Sequence, residues 1–464
     1  MKTAALSAPV RRPRFTRAAA DALAGQASTH GNFSPFAALA EVFRGVEWTP
    51  SLLAFLYYYF VVITYWLPGA DVAIVLALLA LLLELPTLRL GRVLMISGSW
   101  VAWAWISYLN SDKQLVAFPQ TWSLTKLWIV TFVAFNVLRT RAQIKFFLAF
   151  AVGCFMLFPL RGAFLNYFMG YSTQGRAAWN YAYSNPNDLA GFSLIFASIA
   201  LACLALTRSR FARLLAVVSA GLLVLLVFLT QSRGGLLALG VIAAILIATR
   251  LRNPRVVLGT LVLVAIGAIF APDNVWKRLG GLTKVSVESG MRGVDKEGSA
   301  EQRLQLMRIA FRVAKDHPIT GVGAGTYQFV HAEYARELKS EFPIAGGKKD
   351  AHNTYLHNAA EMGFVGLFLF LLLVGNSVAR GLTSAKRLSG DDAETVRILT
   401  YGLAAFLLAG IFGSLDYINV LHLHLLLLES SILALTLPSA RQAVGSPLRR
   451  RRVLVHAVPR LTER

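Results

Sequence analysis

Twelve apolar stretches, each long enough to cross a bilayer, constrain this chain more than any other feature. They cover roughly 51–67, 70–86, 93–109, 121–138, 144–160, 188–206, 211–230, 234–250, 256–272, 363–379, 396–413 and 419–437. At about 1.5 Å rise per residue, roughly 17 to 20 helical residues span a hydrocarbon core of roughly 30 Å. Lipid offers no partner to backbone N–H and C=O groups, so each stretch must satisfy its own and is expected to be helical. The alternating strands of a membrane β-barrel are not seen. The expected fold class is an all-α polytopic membrane protein with about 12 transmembrane helices. At 56% hydrophobic and 15% charged residues, the chain does not fit an ordinary soluble globule.

The net charge of +22 invites a nucleic-acid partner, but its placement argues otherwise. One set of loops, together with both termini, carries 28 Lys or Arg, against 4 on the alternate short loops: Lys113, Arg161, Arg176 and Arg233. Such asymmetry puts the basic side and both termini in the cytoplasm. No nucleic acid is expected; the surrounding partners are membrane lipids, with the Arg449–Arg452 run facing anionic headgroups.

The expected organisation follows. Residues 1–50 form a cytoplasmic arm and 51–272 the first nine transmembrane helices. Residues 273–362 form one large, partly helical outer loop between helices 9 and 10. Residues 363–437 carry the last three helices and 438–464 a basic cytoplasmic tail. The outer loop holds 13 Lys or Arg and 11 Asp or Glu, so an anion site there must be built from particular residues. The cysteines, Cys154 and Cys203, lie in different spans and read as small buried hydrophobes rather than a disulfide or metal framework. Apart from Glu84, near the end of a span, no acidic residue is read near mid-span.

Within the loop, Ser299 with Gln302 matches a capping box, and the helix it opens is expected to stop at His317-Pro318. Gly321, Gly323 and Gly325 read as a flexible turn; without a preceding strand they do not make a dinucleotide site. On a wheel of about 100° per residue with Arg303 at zero, Met307, Ala310 and Ala314 fall within about 40° of it, while Arg308, Arg312 and Lys315 fall opposite. Arg303 is thus placed in the middle of the apolar arc, either paired with a loop carboxylate or facing a ligand.

Arg233 stands in the outer turn Thr230-Gln231-Ser232-Arg233-Gly234-Gly235, whose glycines would let a ligand approach the backbone. It is read either as a headgroup anchor or as a diphosphate ligand, which arginine's rigid fork suits. Arg161, at the outer end of the fifth span, is a third candidate cation, and Arg176 reads as a surface charge. His352 precedes Asn353, a good N-cap, and so sits at a helix N-terminus, where the dipole disfavours imidazolium and leaves a neutral base. His357 and Glu361, four apart, share a helix face within hydrogen-bonding reach. Asn185-Pro186-Asn187-Asp188 opens the sixth span as a cap, with ligand contact by Asn187 as the other reading. His422 and His424 lie on different faces of their helix and make a poor metal pair. No metal and no cofactor are expected.

The order of these features resembles the O-antigen ligase and polymerase superfamily of bacterial inner-membrane glycosyltransferases. The resemblance covers about residues 50–437. It rests on Asn185-Pro186-Asn187, Ser232-Arg233-Gly234, Arg303, His317-Pro318 through Gly323, His352-Asn353-x-x-Leu356 and Glu361-x-Gly363-x-x-Gly366. It implies a multi-pass inner-membrane enzyme with a periplasmic active site. Its donor would be an undecaprenyl diphosphate-linked glycan and, in the ligase branch, its acceptor a sugar hydroxyl of lipid A–core. The resemblance places the family's essential residues on His352 as catalytic base and Arg233 and Arg303 as diphosphate ligands. Arg161, Asn187, Asn353, His357 and Glu361 complete the expected substrate-binding set. The implied reaction is metal-independent and inverting. Within the class, the alternatives are an O-antigen polymerase or a protein O-oligosaccharyltransferase; outside it, a transporter with an outer gating loop.

Overall fold

The computed structural model describes residues 33–84, 88–251, 253–280, 299–337 and 348–436. The basic tail and the first 32 residues of the arm lie outside them. In chain order, α1 is Pro35–Phe43, α2 Pro50–Thr64, α3 Ala70–Leu83, α4 Arg92–Leu109 and α5 Gln114–Val137. α6 (Arg141–Phe155) runs through a π-helical turn, Met156–Leu160, into α7 (Arg161–Phe168). Then follow α8 (Pro186–Leu206), α9 (Arg210–Leu229), α10 (Arg233–Thr249) and α11 (Pro254–Ile269). The loop contributes α12 (Asp273–Gly280), α13 (Ser299–Asp316) and α14 (Tyr327–Glu337). The chain closes with α15 (Thr354–Arg387), α16 (Gly390–Ala409), a 3₁₀ turn at Gly410–Phe412, and α17 (Asn419–Thr436).

Helix starts follow local chemistry. Thr140 and Gln143 form a reciprocal capping box on α6. Thr49, Asn185, Ser209 and Ser232 cap α2, α8, α9 and α10 by accepting first-turn N–H groups. Each of the twelve apolar stretches coincides with a helix. Six of these helices are long and apolar enough to cross a membrane: the continuous run Arg141–Phe168, and α8, α9, α15, α16 and α17. α2, α3, α10 and α11 are apolar but shorter, at 14 to 17 residues. α2 stops early because Tyr65 turns left-handed ahead of Pro68-Gly69. α9, α11 and α15 expose Leu215, Val218, Leu258, Leu261, Phe368 and Leu371 outward. Large apolar side chains exposed along apolar, mostly bilayer-length helices belong against lipid, so this is an all-helical membrane protein.

α8 is the central helix, with 83% of its apolar window buried, packed chiefly on α16 and α9. Phe196 stacks on Phe155 at 4.0 Å. α16 approaches so closely that a Cβ built on Gly402 would lie 2.0 Å from Ser198 Oγ. Small residues permit such approach where lipid supplies no hydrophobic drive between helices. One expectation is corrected here. Glu429 sits in the middle of α17, and its carboxylate accepts two hydrogen bonds from Arg380 of α15, at 2.6 and 3.1 Å. Pairing makes a charge at that depth tolerable, and the helix's apolar neighbours conceal it from a reading by composition.

Candidate active site

α15 supplies the frame of the site. Asn353 caps it by accepting the Tyr355 and Leu356 N–H groups, so His352 stands just before a helix N-terminus. The helix breaks at Gly363 (φ 69°, ψ −178°), separating an outer segment from the long apolar run. α13 ends at Asp316, immediately before His317-Pro318, and packs on the outer segment through Ile309, Ala310 and Val313, with Tyr327, Ala351 and Ala360.

The glycine-rich turn is not a flexible link. Val322 and Gly323 donate to the Ala360 and Glu361 carbonyls at 3.0 and 2.8 Å. Gly325 donates to the Glu361 carboxylate at 2.6 Å and Tyr327 does so at 3.0 Å. Gly321, Gly323 and Gly325 all have positive φ, which only glycine adopts without strain. A stripe on α4 and just past its end completes the clamp. Trp103 Nε1 donates to the Met362 carbonyl at 2.9 Å, the Ser107 hydroxyl lies 2.6 Å from the Thr320 carbonyl, and Ser111 donates to Val322 at 2.5 Å. These three residues recur every fourth position, but nothing in the sequence said what they faced.

His357 and Glu361 lie inside this clamp. The His357 ring stands between two carboxylates, with Nδ1 3.0 Å from Asp416 and Nε2 3.4 Å from Glu361. Asn358 donates to the same Asp416 at 3.3 Å. His357, Asn358, Glu361 and Asp416 are all buried, and their polar atoms face each other. The expected i, i+4 contact is present, and Asp416 is the partner that the sequence did not reveal.

His352 is half-buried and left-handed, at φ 51°. Histidine tolerates this region better than most residues, and such strain gathers at functional sites. Burial, then the positive charges of Arg303 and Lys349, push its pKa down to about 4, so the ring is neutral at pH 7. The shift has the sign a helix N-terminus would give, but burial and Arg303 are its leading causes.

Arg303 lies within electrostatic reach of both His352 and Asp188. The buried face of α13 is formed by Leu306, Ile309, Ala310, Val313 and Ala314. At about 100° per residue that face is centred roughly 50° from Arg303. Arg303 therefore sits towards its edge rather than at its middle, where a long side chain can leave the packed face towards His352 and Asp188. Arg308, Arg312 and Lys315 are exposed, as the wheel placed them.

The Arg233 turn is a built structure. Gln231 is left-handed, and its amide donates to the Gly175 carbonyl at 2.7 Å. A Cβ on Gly234 would lie 2.8 Å from Phe412 Cβ, and one on Gly235 2.7 Å from Ala190 Cβ. These glycines admit neighbouring helices, not a ligand. The Gly410–Phe412 turn links the two halves of the site. It packs on Gly234 through Phe412, and its Ile411 carbonyl accepts from Asn353 at 3.0 Å.

Arg176, read from sequence as a surface charge, is buried. It donates to the Thr230 carbonyl at 2.7 Å and to Asn187 at 2.8 Å, tying the α7–α8 loop to the Arg233 turn. Asn187 is held in turn by Asn185, whose side chain accepts from its backbone at 2.9 Å. Asp188, which sequence reasoning passed over, lies close to Arg303, Arg176 and Asp350. His352, Asn353, Arg303, Asn187, Asp188, Arg176 and the Arg233 turn thus gather at one end of the bundle. Arg161 is exposed at the start of α7, and no described contact joins it to them.

No curated protein matches the chain. The family model described as O-antigen ligase matches residues 218–371, a stretch that contains Arg233, Arg303, His352 and Gly363, so over that part of its length the chain is similar to the O-antigen ligase family.

Proposed function

We propose that this protein is an O-antigen ligase. It transfers a glycan from undecaprenyl diphosphate to a sugar hydroxyl of lipid A–core at the periplasmic face of the bacterial inner membrane. The observation that carries this reading is a neutral, strained His352 beside Arg303, at the end of the bundle where the Arg233 turn also lies.

The chemistry follows from those residues. Arg303 and Arg233 bind the donor diphosphate, and charge developing on it as the glycosidic bond breaks is stabilised by their fixed guanidinium groups. The acceptor hydroxyl attacks the anomeric carbon from the opposite side and inverts it. Its proton passes to the imidazole of His352, and undecaprenyl diphosphate departs with the bonding electron pair. A base with a pKa of about 4 is weak, but the anion it serves corrects this. Diphosphate bound at Arg303 offsets the charge that depresses the imidazole, so donor binding raises basicity when it is needed. His357 and Glu361 hold the α15 segment in place, while Asn187 and Asn353 fix the two halves of the rim.

The test is reconstitution of the full chain in liposomes with lipid-linked glycan, with and without lipid A–core. Glycan joined to core supports ligation. Elongation of the donor glycan without core identifies a polymerase instead, and accumulation of intact donor on the other side of the bilayer would point to transport.

A further inference from the structure

The end of the bundle opposite the site holds a cleft of about 570 Å³, lined by Glu41, Arg44, Arg141, Lys145, Arg208 and Ser209. It lies between α1, the start of α6 and the junction of α8 with α9. α8 enters at Pro186 beside the candidate site and ends at Leu206 beside this cleft, and its 21 residues put the two about 30 Å apart. Four cations face one carboxylate, and that carboxylate is already engaged. Glu41 accepts the backbone N–H groups of Arg208 and Ser209 at 2.9 and 2.7 Å, with Lys145 Nζ 3.6 Å away. Outside the lining, Asp392 of α16 pairs with Arg141 at 2.8 Å. Among the described residues the cleft therefore keeps a surplus of positive charge after its ion pairs are counted.

We propose that this cleft binds a phosphate group presented by an anionic lipid of the adjoining leaflet. α1 favours the lipid over a free anion. Edge contacts of Phe33 on Phe211 and Phe43 on Phe146 fasten it to α9 and α6. Phe36 and Leu39 remain 83% and 58% exposed. A helix at the rim of a membrane protein that turns such side chains outward lies in the interface, with its apolar edge among acyl chains. A headgroup beside it has its phosphate at the height of the cations while its tails meet Phe36 and Leu39. Basic pockets between transmembrane helices take acidic lipid headgroups by this combination.

The test is native mass spectrometry of the full chain in detergent, titrated in parallel with phosphatidylglycerol, phosphatidylcholine and inorganic phosphate. The expected result is one phosphatidylglycerol retained, with phosphatidylcholine failing to replace it. The double variant Arg44→Gln/Lys145→Gln should bind roughly thirty-fold more weakly, at about 1 kcal/mol for each charge near the surface. Arg210→Gln removes a charge from the same face outside the cleft and should change little. If the double variant unfolds, Arg44→Gln alone should still cost roughly five-fold. Equal losses at Arg44 and Arg210, or equal binding of phosphatidylcholine, overturn the site. Displacement of the lipid by millimolar inorganic phosphate overturns the lipid as its source.

Discussion

Gly363 and Ile319 meet backbone to backbone: a Cβ built on Gly363 would lie 2.0 Å from the Ile319 carbonyl oxygen. The adjacent Phe364 N–H bonds the Pro318 carbonyl at 2.8 Å, so the break in α15 is where the loop is fastened to the membrane helix. The backbone there (φ 69°, ψ −178°) lies in a region essentially reserved for glycine. Gly363→Ala should therefore abolish folded protein, as judged by size-exclusion yield and thermal unfolding. Gly375→Ala, one long stretch further along the same helix with nothing near its Cβ, should be neutral or stabilising by up to about 1 kcal/mol. Normal yield of the Gly363 variant would mean the break is dispensable.

Glu361→Gln should be a stability variant. It leaves His357 with one carboxylate instead of two and weakens the grip on the Gly325 and Tyr327 N–H groups. Breaking a buried ion pair costs about 3–5 kcal/mol, so the unfolding temperature should drop by several degrees. Turnover by the fraction still folded at low temperature should survive. If that fraction is dead while stability is unchanged, Glu361 is part of the chemistry and the base assignment to His352 must be reopened.

His352 is best replaced by asparagine, which accepts left-handed backbone and carries no base. Transfer should fall by about 10²–10⁴-fold with donor binding retained. Neutral imidazole is the active form, so activity rises with pH through its pKa. For wild type, kcat/KM for donor should rise through about 4, the free-enzyme value. kcat should rise through a higher pKa, because bound diphosphate offsets Arg303. Initial rates between pH 4 and 8 decide this; a kcat flank lying below the kcat/KM flank contradicts the proposed coupling.

Arg303→Lys retains charge and loses the bidentate fork, so donor use should be severely impaired. Arg308→Ala and Arg312→Ala lie on the exposed side of α13, where Arg312 pairs with its neighbour Asp316, and should be nearly silent. Steady-state assays on detergent-solubilised protein separate the two classes. Equal losses at positions 303 and 308 would remove the special status of Arg303.

The orientation can be tested by cysteine labelling without first removing the native thiols, since Cys154 and Cys203 are both buried. Lys348→Cys should react with an impermeant maleimide added from the periplasm, and Arg387→Cys should not. Labelling at position 387 from that side reverses the proposed topology.

The helices and the Asn185 cap were legible in the chain itself, because hydropathy at bilayer length and side-chain oxygens at helix starts are local signals. The stop at His317-Pro318, the Asn353 cap ahead of α15, and the spacing of His357 and Glu361 are of the same kind. Tertiary structure decided what these elements face. Asp416, 59 positions away, closes on His357, and Arg176 reaches the Thr230 carbonyl across 54 positions. The glycines of the loop serve backbone hydrogen bonds to α15 and close packing on Ser111 and Gln120 rather than mobility. A periodic pattern reports which side of a helix is apolar, but the partner for a buried charge is chosen by packing between segments far apart in the chain. Hence Glu429 with Arg380, and Arg303 with His352, became visible only once the helices were assembled.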